Sequence, residues 1–157
     1  MDKVVLRPIG RGDIEHVISL QNTSLPITYS RERVWDKLFD RYERHSFVAA
    51  GTDGTIAGFV LSWDNVVVAL AVGAKYRRHS IGRNLLRLCV NSHFPECVRL
   101  HVGTSNVAAQ KLYVDSGFVE KQHCANFYTN PAGDALLFER ASDSASWFTV
   151  PYEIILT

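Results

Sequence analysis

The pattern of apolar and polar positions predicts a series of strands in the first part of the chain. Val4 to Pro8 is expected to form a short first strand. Ser46 to Ala50 and Thr55 to Trp63 predict a hairpin whose turn runs through Gly51 to Gly54. The run from Val66 to Val72 is almost wholly apolar, so we expect this strand to be covered on both faces of its sheet.

Apolar residues at three-and-four spacing predict helices between these strands. Ile14 to Leu20 gives the apolar face of a first helix, and Val34 to Tyr42 gives that of a second. Ile81 to Cys89 predicts a third helix directly after the apolar strand. A fourth helix is expected to begin near Asn106 and to end at Gly117, since glycine commonly follows a helix.

The rest of the chain predicts further strands. Val98 to Val102, Val119 to Tyr128 and Gly133 to Arg140 have the composition of strands, and Tyr152 to Thr157 is a further strand or the last one after a long loop. Strands followed by strand–helix–strand–helix–strand predict an α/β domain with a mixed sheet. Val98 to Val102 is expected to lie parallel to Val66 to Val72, joined by a right-handed crossover.

Composition narrows the class of protein. At 157 residues the chain is expected to form a single domain, and its formal net charge of +1 argues against a general nucleic-acid binder. Three cysteines without CxxC spacing argue against a disulfide framework and favour a reducing compartment. No signal peptide, membrane-length apolar run or HExxH spacing is present, so we expect a cytoplasmic protein with neither a membrane anchor nor a metal.

A short basic turn joins the apolar strand to the third helix. Arg77, Arg78, Ser80 and Gly82 lie where that helix begins. The first N–H groups of a helix have no partner within it, so small residues and arginines there can hold a phosphate. Taken alone, arginines near a helix start are more often solvated surface charges than parts of an anion site. The Walker A pattern and the GxGxxG fingerprint are both absent.

The turn resembles the R/QxxGxG/A loop of the GCN5-related N-acetyltransferases (GNAT), which holds the pyrophosphate of acetyl-coenzyme A. Here the loop is RRHSIG, Arg77 to Gly82. SNVAAQKLYVDSGF, Ser105 to Phe118, resembles the N-x-x-A-x-x-x-Y-x-x-x-G-F segment of the family, and LRPIGRGDIEHV resembles its opening. The resemblance implies a GNAT fold, a mixed twisted sheet of about seven strands flanked by about four helices.

The resemblance also implies acetyl-coenzyme A as cosubstrate. Backbone N–H groups at the end of the apolar strand would polarise the thioester carbonyl. The residues expected to contact the coenzyme are Leu70, Ala71, Val72, Arg77, Arg78, His79, Ser80, Ile81, Gly82, Arg83, Asn106 and Tyr113. Ser80 stands where the family has its first glycine, which narrows the permitted φ range and would weaken binding if a positive φ is needed there.

Four segments are similar to N-terminal protein acetyltransferases of the NatE catalytic-subunit type. LPITYS resembles the loop FPVxY, and LAVGAKYRRHSIGRNLL resembles the coenzyme loop. RLHVGTSNVAAQKLY resembles YLHVxxSNxxAxxFY, and NFY resembles NYY. The substrate implied is a protein or peptide N-terminus, with a larger ribosome-associated complex as a possible partner. A methionine followed by a hydrophobic residue is expected, because Leu25, Pro26 and Ile27 offer an apolar wall that a thioether fills well. An acidic first residue should be excluded, because burying an unpaired carboxylate is costly. The residues expected to bind the substrate are Leu25, Pro26, Ile27, Tyr29, Val68, Phe127 and Tyr128.

His101 is the candidate general base, since an imidazole suits an α-amino group of pKa ~8 better than a lysine of pKa ~10.4. The alternative is a core histidine with a hydrogen-bond partner. The resemblance implies that Tyr113 protonates the departing thiolate, the alternative being helix packing. Val66 stands where the similar enzymes carry a tyrosine that cooperates with the histidine. Either His101 works alone through water, or Tyr29 or Tyr128 takes the place of that tyrosine.

Two other functions stay open. One is an acetyltransferase acting on a lysine or a small amine, although no deep acidic pocket for a polyamine is evident. The other is a weakly active scaffold subunit of an N-terminal acetyltransferase complex. The second agrees with Val66 and Ser80 but gives no reason for His101 and Asn106.

Overall fold

Eight strands form one mixed sheet in the part of the chain that the structure describes. The computed structural model describes residues 3–24, 39–129, 132–141 and 150–156. The strands are β1 (Lys3–Pro8), β2 (Phe47–Gly51), β3 (Ile56–Trp63), β4 (Val66–Val72), β5 (Val98–Gly103), β6 (Val119–Thr129), β7 (Ala132–Arg140) and β8 (Glu153–Ile155). Their order across the sheet is β6-β7-β5-β4-β3-β2-β1-β8. The predicted mixed α/β fold is confirmed, and the last segment adds a strand because it pairs with β1.

Helices flank this sheet. A 3₁₀ turn, Arg11–Asp13, leads into α1 (Ile14–Ser24), and α2 (Ile81–Ser92) and α3 (Val107–Asp115) follow β4 and β5. Residues 39–42 are also helical, whereas the rest of the predicted second helix lies outside the described residues. No helix in the described ranges is long and apolar enough to cross a membrane.

The core lies on both faces of the sheet, because neighbouring residues of a strand point to opposite faces. Phe59 and Leu61 of β3 pack with α1, while Val60 between them packs in the cluster that contains α2. Gly58 lets α2 approach closely: a Cβ there would lie 3.2 Å from a methyl of Ile81 and 3.1 Å from the carbonyl oxygen of Ala71. The beginning of α2 is therefore held tightly against the end of β4.

β4 and β5 are parallel neighbours, as predicted, but they pair only briefly. Val66 pairs with Arg99 and Val67 with Leu100, and the ladder between the two strands includes no further residue of β4. β5 instead continues beside β7 up to Gly103. The two strands therefore separate towards their carboxyl ends and leave a gap.

This gap contradicts the expectation that Val66 to Val72 is covered on both faces. Val67 and Ala71 are buried, but Val68 is 45% exposed. The pairing of β4 with β3 is also irregular here, since Leu61 pairs with Ala69 and Ser62 with Val67, which leaves Val68 unpaired. An apolar run cannot reveal that its neighbouring strand diverges, so the sequence alone overestimated the burial of β4.

Candidate active site

The gap and the first turns of two helices lie at the same end of the sheet. β4 and β5 are parallel, so their carboxyl ends, and the helices α2 and α3 that follow them, lie at one edge. Ligands of sheets with parallel strands commonly bind outside these carboxyl ends. The predicted coenzyme residues therefore share one region, with β4 on one side of the gap and the loop before α2 at its end.

The loop before α2 has an unusual backbone. Arg78 has φ 67° and Ser80 has φ 61° and ψ 21°, both in the left-handed region. Ser80 is the residue before α2, and its carbonyl oxygen accepts from the backbone N–H of Asn84 at 3.0 Å and from its side-chain Nδ2 at 2.9 Å. The Ser80 side chain makes no capping bond. The position where the family has a glycine does require a positive φ, and a serine occupies it at a conformational cost.

The surroundings of this loop suit a phosphate group. The first N–H groups of α2 have no partner within the helix and carry partial positive charge. Gly82 brings these groups close to β4, because a Cβ there would lie 3.4 Å from a methyl of Val72. Arg77 donates from Nε to the Val72 carbonyl at 3.3 Å, and Arg78 and Arg83 are exposed. Backbone donors and cationic residues therefore occur together in this loop at the end of the gap, which fits a coenzyme pyrophosphate.

Asn106 begins α3, as predicted. Its Oδ1 accepts from the backbone N–H of Ala109 at 3.2 Å, so the side chain caps the helix. Gly117, at φ 87°, ends the segment, also as predicted. The cap places Asn106 directly after β5, beside the open end of the gap.

Tyr113 of α3 is buried against Phe118 and Phe138, with ring centroids 5.8 Å and 6.4 Å away. Burial, with smaller contributions from the nearby Tyr128 phenol and the Cys89 thiol, raises the pKa of Tyr113 to about 12. Its hydroxyl therefore keeps its proton at neutral pH. Such a group can donate a proton but cannot serve as a base.

His101 lies on the exposed face of β5 and not in the core, so the core alternative is wrong. Its ring stacks on Phe127 with centroids 4.2 Å apart and planes 14° apart. Partial desolvation, and then the positive charge of Arg99, lower the pKa of His101 below its usual value. The imidazole is therefore neutral at pH 7 and able to accept a proton.

Two aromatic side chains of β6, Phe127 and Tyr128, lie near this part of β5. Phe127 is 45% exposed and meets Tyr128 edge-on, with centroids 5.0 Å apart. A Cβ on Gly103 would lie 3.7 Å from the Tyr128 ring, so Tyr128 packs closely over the end of β5. Val66 is paired with Arg99, two residues before His101, and therefore lies on the same face of the sheet as His101. Of the two predicted replacement phenols, Tyr29 lies outside the described residues, and Tyr128 contacts the Phe127 ring that stacks on His101.

Four of the predicted substrate residues lie outside the described residues: Leu25, Pro26, Ile27 and Tyr29. Sequence reasoning also missed the contact that Asp134 of β7 makes with His123 and with the Asn126 backbone of β6. Nothing in their spacing indicates this contact, because it depends on an irregular strand register.

A second polar group is buried at the other end of α2. The Nε2 of His93 lies 2.8 Å from the Ser62 hydroxyl, and the His45 ring stacks on His93 at 4.0 Å. Burial, together with His45, lowers the pKa of His93 to about 4. These contacts join β3 to the carboxyl end of α2 and have a structural role. In the described ranges no three His, Cys, Asp or Glu side chains are grouped so that they could hold a metal ion.

A split sheet with a basic helix start at the end of the gap and a neutral histidine on β5 is compatible with the acetyl-coenzyme A site that the sequence resemblance implies. Residues 14–118 match the Acetyltransferase (GNAT) family, and the chain belongs to this family. It is therefore an N-acetyltransferase that uses acetyl-coenzyme A.

Known proteins similar to this chain include alanine N-acetyltransferases of a ribosomal protein, the acetyltransferase Naa50 and spermidine N-acetyltransferases. A Bacillus subtilis (strain 168) protein, provisionally named [ribosomal protein bS18]-alanine N-acetyltransferase, is 28% identical over 86% of this chain and 93% of its own length. The solved ribosomal-protein-S18-alanine N-acetyltransferase of Escherichia coli is 22% identical, covering 90% of this chain and 96% of that chain with a TM-score of 0.77. Naa50 of Arabidopsis thaliana, solved with the bisubstrate analogue CoA-Ac-MVNAL, is 22% identical, covering 88% and 98%, with a TM-score of 0.75.

Proposed function

We propose that this protein transfers the acetyl group of acetyl-coenzyme A to the N-terminal α-amino group of a protein. The observation that carries the proposal is the position of His101, an exposed neutral imidazole beside the gap between β4 and β5, packed against Phe127. An α-amino group has a pKa of ~8, so a base that titrates below neutrality can still accept the proton of that amine through solvent. A lysine side chain, with a pKa of ~10.4, is harder to deprotonate.

The coenzyme binds, in this proposal, with its pyrophosphate on the loop Arg77–Arg83 and its arm beside Asn106. It supplies an acetyl group activated as a thioester. The exposed edge of β4 from Leu70 to Val72 directs backbone N–H groups towards the thioester carbonyl and polarises it. The remaining coenzyme contacts are assigned to Leu70, Ala71, Val72, His79, Ser80, Ile81 and Gly82.

The chain's own acids and bases move the protons. His101 accepts the proton of the incoming α-ammonium, directly or through water, because its imidazole is neutral at pH 7. Tyr113 is assigned as the donor to the departing sulfur, as the family resemblance implies, and its phenol is protonated at neutral pH before that step. Val66 contributes no proton, and Tyr128 is the phenol assigned to orient the amine beside His101.

The preferred substrate in this proposal begins with methionine and a hydrophobic residue. Val68 and Phe127 offer exposed apolar surface, and Phe127 stacks on His101. Methionine's flexible thioether fills such irregular surfaces well. Arg99, which shares the face of His101, disfavours polyamines because their further positive charges would be repelled.

A panel of short peptides tests this proposal. Peptides beginning Met-Leu, Ala and Glu are compared with an N-terminally blocked peptide that carries one lysine, and with spermidine. We expect the highest kcat/KM for Met-Leu and the lowest for the Glu and blocked peptides. A preference for Ala, the residue in the name of the Bacillus subtilis relative, would replace the methionine assignment but keep the α-amine. A preference for spermidine or the blocked peptide would refute the proposal.

The scaffold alternative is tested in the same assay, because a scaffold subunit would bind acetyl-coenzyme A without turning it over. We also propose that this protein belongs to a larger ribosome-associated complex. Sedimentation of the protein with ribosomes in a salt-dependent manner would support that proposal, and sedimentation as a free protein at low salt would refute it.

A further inference from the structure

The strand that carries Phe127 and Tyr128 is irregular beside the site. Cys124 of β6 pairs with Ala135 of β7, but the next pair is Tyr128 with Gly133. β6 therefore advances four residues while β7 advances two, so residues 125–127 form a bulge. Asn126, in the middle of the bulge, has φ 54°. Bulges redirect side chains, and they are common next to active sites.

One carboxylate holds this bulge in place. Asp134 Oδ1 accepts from the backbone N–H of Asn126 at 2.9 Å, and Oδ2 lies 2.8 Å from Nε2 of His123. The Asn126 bond first, and then His123, lower the pKa of Asp134. The Asp134 carbonyl also accepts from the Thr104 N–H at 3.1 Å, directly after β5. A single residue of β7 thus ties the bulge to the strand that bears His101.

The bulge determines where Phe127 lies. In a regular ladder that continued from the Cys124–Ala135 pair, Phe127 would lie opposite Ala132, beyond Gly133 on β7. With the bulge, Phe127 stacks on His101 at 4.2 Å and Tyr128 packs over Gly103. Asn126 lies in the bulge, so its backbone N–H has left the regular strand ladder. The Asp134 carboxylate oxygen accepts its hydrogen bond instead.

We propose that Asp134 is a positioning residue for acetyl transfer, which fixes the β6 bulge so that Phe127 orients His101. The proposal rests on the function proposed above for His101. It assigns Asp134 no contact with the substrate and no proton transfer. His123 Nε2 lies within hydrogen-bond distance of the second oxygen of the Asp134 carboxylate.

The competing interpretation is an ordinary surface ion pair. The side chains of His123 and Asp134 are 57% and 39% exposed, and exposed pairs contribute little to stability. The two interpretations differ in what they predict for the site. A surface pair would leave His101 unchanged when removed, whereas a positioning residue would move Phe127 away from its ring without unfolding the protein.

The test compares Asp134→Ala with Asp134→Asn and with Asp115→Ala. Asparagine keeps an oxygen that can accept from Asn126. Asp115→Ala is the matched control, since it removes another exposed ion pair, that with Lys111, from α3. NMR follows the His101 ring protons, which the stacked Phe127 ring shifts upfield, and thermal unfolding checks the fold. Steady-state kinetics on the best peptide substrate give kcat and KM.

We expect Asp134→Ala to lose most of the upfield shift of His101 and to lower kcat roughly 10–100-fold, the scale of a small misplacement of a reacting group. Acetyl-coenzyme A affinity should stay within twofold of wild type. Asp134→Asn should recover much of the shift and the rate, and Asp115→Ala should change neither. An Asp134→Ala protein with an unchanged His101 shift would overturn the proposal. The NMR readout needs no substrate, so it decides on Asp134 even if the peptide panel refutes the proposed function.

Discussion

Ser80 is held in a conformation that glycine adopts more easily, so Ser80→Gly should stabilise the protein. A non-glycine residue in the left-handed region costs roughly 1–2 kcal/mol. A glycine at this position also destabilises the folded state by about 0.5–1 kcal/mol, because the unfolded chain with glycine has a larger conformational entropy. The Ser80 side chain makes no capping bond, so its removal costs little. The net gain is about 0.5–1 kcal/mol, which corresponds to a rise of about 1–4 °C in Tm for a domain of this size.

Two variants make the comparison decisive. Ser80→Ala keeps a Cβ and should give no gain, while Ser80→Val places a β-branched residue at positive φ and should be destabilised by more than 1 kcal/mol. Differential scanning calorimetry with and without acetyl-coenzyme A would measure the three variants. If Ser80→Gly were no more stable than Ser80→Ala, the left-handed backbone at Ser80 would not be a source of strain and the reasoning would fail.

Three further predictions follow from the site and its surroundings. His101→Ala should lower kcat ~10²–10⁴-fold while acetyl-coenzyme A still binds. The variant should also lose the fall of kcat/KM that the wild-type protein shows below pH 6.5. A variant as active as wild type would remove His101 from the mechanism. Arg77→Glu/Arg78→Glu should weaken acetyl-coenzyme A at least about tenfold, or ~1.4 kcal/mol, in calorimetry, and the exposed Lys121→Glu control should not. His93 resists protonation in the folded protein but not in the unfolded chain. The free energy of unfolding should therefore fall as the pH drops from 6.5 to about 4, by up to about 3 kcal/mol. Urea titrations should show a weaker pH dependence for His93→Gln, and an unchanged dependence of the free energy of unfolding on pH would contradict the assignment.

Most elements of the fold could be predicted from local sequence patterns. The hairpin of β2 and β3, the apolar strand β4 and the parallel pairing with β5 all depend on short-range periodicity and on the rule that a strand–helix–strand unit forms parallel neighbours. The start of α3 at Asn106 and its end at Gly117 follow from the chemistry of helix ends. These features are encoded within a few residues of where they occur.

The features that shape the candidate site are not encoded locally. The separation of β4 from β5 exposes Val68, although its neighbours along the chain are as apolar as those of a buried strand. The bulge at residues 125–127 depends on Asp134, which follows it by several residues and meets it only once β6 and β7 pair. Periodicity reports which face a residue prefers, but it does not report where a ladder breaks. Those breaks place Phe127 on His101.

The most direct test of α-amine acetylation uses one peptide with both kinds of amine. The peptide begins Met-Leu, has a free N-terminus and carries one internal lysine, and it is incubated with acetyl-coenzyme A and either the wild-type protein or His101→Ala. Tandem mass spectrometry then locates the acetyl group. We predict that the wild-type protein places it on the α-nitrogen of methionine and that the variant leaves the peptide largely unmodified. Acetyl on the lysine, or equal α-acetylation by both proteins, would contradict the account.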